Sequence, residues 1–167
     1  MKSTITNFVA FALLALIAAG CNSGDSKTVV AADGTKGTEG KDGGMSVESN
    51  GTKAELGGAT TVTEADLKMA FYPGSTEKPN STMKVETATE KSYLHNRLTA
   101  DEPQKVADFY TAKDKDLKFT SFGSGGDVTM MASKDDKEGG KYAITIIRKK
   151  DAKETEISMG YGWTAKK

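Results

Sequence analysis

Cysteine and histidine each occur once in this chain of 167 residues, and proline occurs three times. A single cysteine excludes an intrachain disulfide and a cysteine-built zinc site. A single histidine excludes a histidine-rich metal site within one copy. No excess of charge of either sign exists, because Lys+Arg and Asp+Glu are 23 each. Nucleic-acid and general polyanion binders carry a basic excess, so no nucleic-acid partner is expected. Apolar residues make up only 37%, and glycine numbers 18. Part of the chain therefore lacks the large side chains that a core requires.

One long apolar run is present, the twelve residues Phe8 to Ala19 behind Lys2. A spanning helix needs about 20 such residues, whereas twelve is the length of a signal-peptide core. The run ends in small residues, Ala18-Ala19-Gly20, which lead directly into Cys21. This arrangement resembles the lipobox of bacterial lipoproteins, although Ala18 stands where such boxes prefer Leu. The resemblance implies a signal peptide over 1–20, cleavage between Gly20 and Cys21, and a diacylglyceryl thioether on Cys21, usually with an N-linked acyl chain such as palmitate. Two chains anchor a protein stably, at about 0.8 kcal/mol per buried methylene. Lipidation would also consume a lone thiol that is otherwise open to oxidation. The membrane is then a partner through the anchor, and the location is the cell envelope. Asn22, rather than Asp, follows the cysteine, which favours the outer membrane over the outer face of the cytoplasmic membrane. The alternatives are an ordinary secretory signal or an uncleaved apolar anchor.

Residues 21–60 hold nine of the glycines and no aromatic residue. Such a composition cannot offset the entropy of ordering, so the stretch reads as a disordered, lipid-anchored tether. Gly34, Gly37, Gly40 and Gly43 recur every third residue, but a collagen-like segment needs many more triplets and abundant proline.

Residues 61–167 carry ten of the twelve aromatic residues and read as the globular domain. Thr63 and Asp66 form a capping pair before a short helix that must end by Tyr72-Pro73-Gly74. Thr82 to Thr89 and Ser92 to Leu98 read as a hairpin joined at Glu90-Lys91, with Leu94 and Leu98 on one face and Tyr93, His95 and Arg97 on the other. Asp101 with Gln104 suggests a capping box, Pro103 suits a first turn, and Val106, Phe109 and Tyr110 form a helical stripe. Four strands follow. The strongest place Tyr142, Ile144 and Ile146 on one face, then Ile157, Met159, Tyr161 and Trp163. The predicted fold is a two-layer α+β domain, an antiparallel sheet of five to six strands with one main helix on one face, in the order ββαββββ. Tyr72-Pro73-Gly74, the hairpin, the Thr99–Asp101 lead into Val106–Tyr110 and the strands after it together resemble a recurrent α+β module of bacterial envelope proteins. That module implies no activity; its motif residues determine fold.

Candidate chemistry is sparse. His95 could serve as a base only with a positioned partner, which no motif supplies; it reads as a surface strand residue. Asp135, Asp136 and Glu138, and Asp114 with Asp116, lack the order of a calcium loop and read as solvated turns. Gly123 to Gly126 lacks the Lys-Ser/Thr of a phosphate loop. The basic run Arg148-Lys149-Lys150, with Lys166-Lys167, could touch anionic headgroups or wall polymers, or could block strand-edge pairing. Tyr161 and Trp163, flanked by glycines, offer either core packing or an aromatic strip for a sugar or a partner. These five, Tyr161, Trp163, Arg148, Lys149 and Lys150, are the candidate binding surface. No nucleophile elbow, zinc motif or dinucleotide fingerprint occurs, and no cofactor or metal is expected. The expectation is a non-catalytic binding or interaction domain that engages another envelope protein or a cell-wall polymer. The alternatives are a small-ligand carrier with a pocket between helix and sheet, and a hydrolase using His95.

Overall fold

The structure is a computed structural model that describes residues 27–165, apart from 32, 33, 42, 50 and 59. The signal peptide expected over 1–20, cleavage at Gly20/Cys21, lipidation of Cys21 and the pair Lys166-Lys167 lie outside the described residues. No described helix is long and apolar enough to cross a membrane.

Four short strands come first: β1 (Lys27–Val30), β2 (Lys36–Glu39), β3 (Met45–Ser49) and β4 (Thr52–Leu56). Helix α1 (Glu64–Leu67), β5 (Thr76–Glu77), β6 (Met83–Glu86) and β7 (Glu90–Thr99) follow. Helix α2 (Pro103–Lys113) then leads into β8 (Thr120–Phe122), β9 (Val128–Asp135), β10 (Gly140–Arg148) and β11 (Thr155–Thr164). All pairings are antiparallel, in the order β1-β2-β3-β4-β6-β7-β11-β10-β9-β8, with β5 pairing β7 off this path.

This arrangement overturns the expected two-layer α+β fold with one main helix. Among the described residues the protein is mostly β, with two short helices, of four and eleven residues. Much of the difference lies in the stretch read as a tether, where β1 to β4 form a meander that joins the main sheet through β4 and β6. The physical reason is turn chemistry. Gly34, Gly43 and Gly51 take φ of 84°, 76° and 76°, and each follows Asp33, Asp42 or Asn50 in sequence. Ser49 pairs with Thr52, so two residues connect β3 to β4, and Gly51 supplies the positive φ that such a tight hairpin needs. Short polar strands held by such turns satisfy their backbone groups on one another without a thick core.

The core sits elsewhere. Ile144, Ile146, Ile157 and Met159 project from β10 and β11 and are fully buried. Pro103, Val106, Ala107 and Tyr110 of α2 bury their face, and α2 packs on β9 and β10. Each fully buried aliphatic side chain contributes roughly 1.5–3 kcal/mol. Helix α2 starts one residue later than its predicted cap. Glu102 is the N-cap without a side-chain bond and Pro103 opens the first turn. The box of Asp101 with Gln104 does not form, because Asp101 accepts from Tyr72 at 2.7 Å and from Lys105 at 2.9 Å, while Gln104 bonds Asp108. Helix α1 does carry the Thr63–Asp66 capping box and stops at Lys68, which is left-handed at φ 54°.

Two further corrections concern β7. The hairpin turn spans Thr87–Glu90, closed by Thr87 N–H to the Glu90 carbonyl at 2.8 Å, so Glu90 and Lys91 belong to the strand. Its covered face carries Tyr93, His95 and Thr99, all buried, while Leu94 and Leu98 are only half-buried. The segment from Phe71 to Ser75 explains the reversal. Phe71 stacks on His95 at 4.9 Å between centroids, and Arg97 donates to the Ser75 hydroxyl at 2.7 Å.

Candidate functional site

A cleft of about 500 Å³ opens at one end of the sheet, lined by Ala65, Asp66, Lys68, Lys91, Tyr93, Glu138, Tyr161 and Trp163. Three elements build it. Strands β7 and β11 place Tyr93 opposite Tyr161 and Lys91 opposite Trp163, all on the covered face. Helix α1 supplies one wall, and the β9–β10 turn supplies Glu138. The capping box fixes that wall: Thr63 N–H donates to Asp66 at 2.8 Å, and Asp66 N–H to the Thr63 hydroxyl at 3.2 Å. Gly140 pairs with Trp163 and must lack a side chain, because a Cβ there would fall on the Tyr161 ring.

The polar ends of the aromatic residues are engaged inside the protein. Tyr161 donates to Asp136 at 2.9 Å, Trp163 Nε1–H to the Glu138 carbonyl at 3.2 Å, and Tyr93 to Glu86. The two tyrosine rings stack at 6.3 Å with 17° between planes. The Lys68 ammonium bridges Asp136 and Glu138 and lies 5.1 Å from the Tyr161 centroid. Hydrogen bonds to Asp136 and Glu138 raise Lys68 above the ordinary lysine range. The same ammonium, with backbone N–H groups of Gly140 and Glu138, holds the Asp136 carboxyl well below the usual range. Burial pushes the Tyr93 and Tyr161 hydroxyls up. Near neutral pH Lys68 therefore stays protonated, Asp136 ionised and both tyrosines neutral, so the cleft is a floor of rings with charges at its rim.

Of the residues predicted as a binding surface, Tyr161 and Trp163 meet in this cleft. Arg148, Lys149 and Lys150 do not. They lie at the far end of β10, eight residues from Gly140 or about 26 Å along the strand. Arg148 pairs with Glu102 at 2.9 Å and Lys149 with Asp127 at 3.0 Å, while the Lys150 N–H donates to Asp127 at 2.9 Å. These charges hold loops together. Tyr93, Lys68, Lys91, Asp66 and Glu138 were not foreseen. Register alone could have found Tyr93, as the cross-strand partner of Tyr161. The contribution of α1 is long-range and leaves no local trace.

His95 is buried at 2% exposure, not on the surface as expected. Its Nδ1 lies 3.2 Å from the Thr82 hydroxyl and its Nε2 3.2 Å from Arg97. The Thr82 hydroxyl donates to Glu77 at 3.0 Å, so it accepts from Nδ1–H, and Nε2 accepts from Arg97. Burial, with Arg97, pushes His95 below its ordinary value against the opposing pull of Glu77. Both ring nitrogens are committed, and neither is free to move a substrate proton. Asp114 pairs with Lys134 at 3.0 Å and accepts from Tyr142 at 2.9 Å. Among the described residues no group of three or more His, Cys, Asp or Glu could hold a metal ion. Between α2 and the sheet, Val106, Ala107, Tyr110, Ile144 and Met159 pack together, and Tyr110 donates to the Met159 sulfur at 3.3 Å.

No family model, no curated protein and no solved structure matches the chain.

Proposed function

We propose that this protein is a lipid-anchored bacterial envelope protein whose sheet domain is a non-catalytic binding module, engaging an envelope protein or a cell-wall polymer. The observation that carries the binding part is the cleft of Tyr93, Tyr161 and Trp163 walled by α1, an aromatic-floored concavity rimmed by the charged groups of Asp66, Lys68, Lys91 and Glu138. The neutral, doubly engaged His95 supports a role without acid–base chemistry. The run Ala18-Ala19-Gly20-Cys21 supports the anchor.

Cys21→Ala tests the anchor. The expected result is loss of membrane association and accumulation of unprocessed precursor, read by fractionation and intact mass. A Cys21→Ala chain that still fractionates as a mature membrane protein overturns the lipid assignment. The binding part is tested by incubating the full chain with isolated envelopes. Retention that Trp163→Ala abolishes supports the cleft, and retention unaffected by that change removes it.

A further inference from the structure

The cleft's own chemistry narrows what it takes, and the following rests on the binding reading above. Trp163, Tyr161 and Tyr93 spend their N–H and O–H groups on Glu138, Asp136 and Glu86. They therefore meet a ligand as ring surfaces and not as donors. The Lys68 ammonium covers the Tyr161 ring and is neutralised by two carboxylates. Trp163 remains as the stacking surface, half-buried on the last strand.

Lys91 differs from Lys68. It lies directly across from Trp163 in the β7–β11 register, on the same side of the sheet. It is exposed, lines the cleft and forms no ion pair among the described residues. One cation outside any close ion pair, though within electrostatic reach of Asp66, thus stands beside one indole ring. Around them are the carboxylates of Asp66 and Glu138, which accept hydroxyl donors and repel a multiply charged anion. A phosphate-rich polymer fits poorly where the Lys68 charge is already spent on Asp136 and Glu138 and the Asp66 carboxylate stands near Lys91. A ligand with a flat C–H face, several hydroxyls and a single carboxylate matches all three features, and a volume of about 500 Å³ admits one or two hexose rings.

We infer that the cleft binds a carboxylated hexose within a polysaccharide, its ring stacked on Trp163, its carboxylate on Lys91 and its hydroxyls on Asp66 and Glu138. Uronic acid units and lactyl-bearing amino sugars share this chemistry. They differ in where the carboxylate hangs from the ring.

Trp163 is the only tryptophan, so its emission reports on the cleft directly. The full chain is titrated with a hyaluronan oligosaccharide, which alternates glucuronate and N-acetylglucosamine, and with a chitin oligosaccharide of equal length, which is neutral. A muramic acid oligosaccharide distinguishes the lactyl source. The expected result is a saturable emission change with an acidic ligand and about tenfold weaker binding of the neutral one, the size of one charge-assisted hydrogen bond. Lys91→Gln should reduce acidic binding to the neutral level and leave neutral binding unchanged, while Trp163→Phe should preserve part of both affinities in a calorimetric assay. Equal binding of acidic and neutral sugars, or tighter binding of polyglycerol phosphate than of either, overturns the inference. Silence with every sugar, alongside retention on envelopes that Trp163→Ala abolishes, overturns the sugar class and leaves the binding reading intact. Silence without such retention removes both.

Discussion

The meander β1–β4 and the sheet β7–β11 use the same antiparallel pairing but rest on different physics. The second region buries Ile144, Ile146, Ile157 and Met159 beneath α2. The first has no aromatic residue, and its strands neighbour one another and β6. Its order comes from glycines that take positive φ between the strands and from hydrogen bonds passed sideways from strand to strand. A sheet seeded by a core can thus be continued by a sequence too polar to seed one.

The largest expected effect breaks the seed. Ile157→Ala removes a fully buried side chain from β11 and should cost about 2–5 kcal/mol. Thermal unfolding should fall for the whole sheet, meander included. A change confined to β9–β11 would show that the two regions fold independently. Next comes Gly51→Val, at φ 76° with open space around the missing side chain. Only backbone strain acts there, about 1–2 kcal/mol. Hydrogen exchange should quicken in β1–β4 and stay unchanged in β10 and β11. Equal quickening in both would erase the distinction.

The smallest effect is in pH. His95 is lowered by burial, so the unfolded chain takes up its proton first as pH falls below about 6.5. The native state is then at a disadvantage: stability is full above that value and declines as pH drops toward the folded one. Denaturant midpoints measured from pH 7.5 to 5 should fall in wild type and much less in His95→Gln. Flat midpoints in wild type would mean that the imidazole titrates as freely when folded as when unfolded.

The same contrast marks what could be read from the residues alone. Alternation at Ile144/Ile146 and Ile157/Met159/Tyr161 exposed the core strands because apolar and small residues separate cleanly there. Thr63–Asp66 and Pro103 announced two helix starts. On β7 the alternation misled, since Tyr93 and His95 look solvent-facing until Phe71 and Ser75 are brought across them by a distant turn. In the meander, hydrophobic content was the wrong quantity to weigh. Asp33-Gly34, Asp42-Gly43 and Asn50-Gly51 were the legible signals, as was the return of Gly-Thr-Lys at 34–36 and 51–53. The cleft was half visible, through Tyr161 and Trp163. Lys68 and Lys91 entered it by strand register and by helix placement, which no local window contains.

Side-by-side strands are also a measure of length. Successive strands lie about 4.8 Å apart, so β1 and β11 are separated by six steps, or about 29 Å across the sheet. In the proposed anchored form, a lipid on Cys21 would sit only six residues before β1. The meander would then act as a scaffold of fixed height, not a slack line, carrying the cleft to a set distance above the bilayer. Adding or deleting one hairpin there would raise or lower that end by about 10 Å without touching a single residue that meets the ligand.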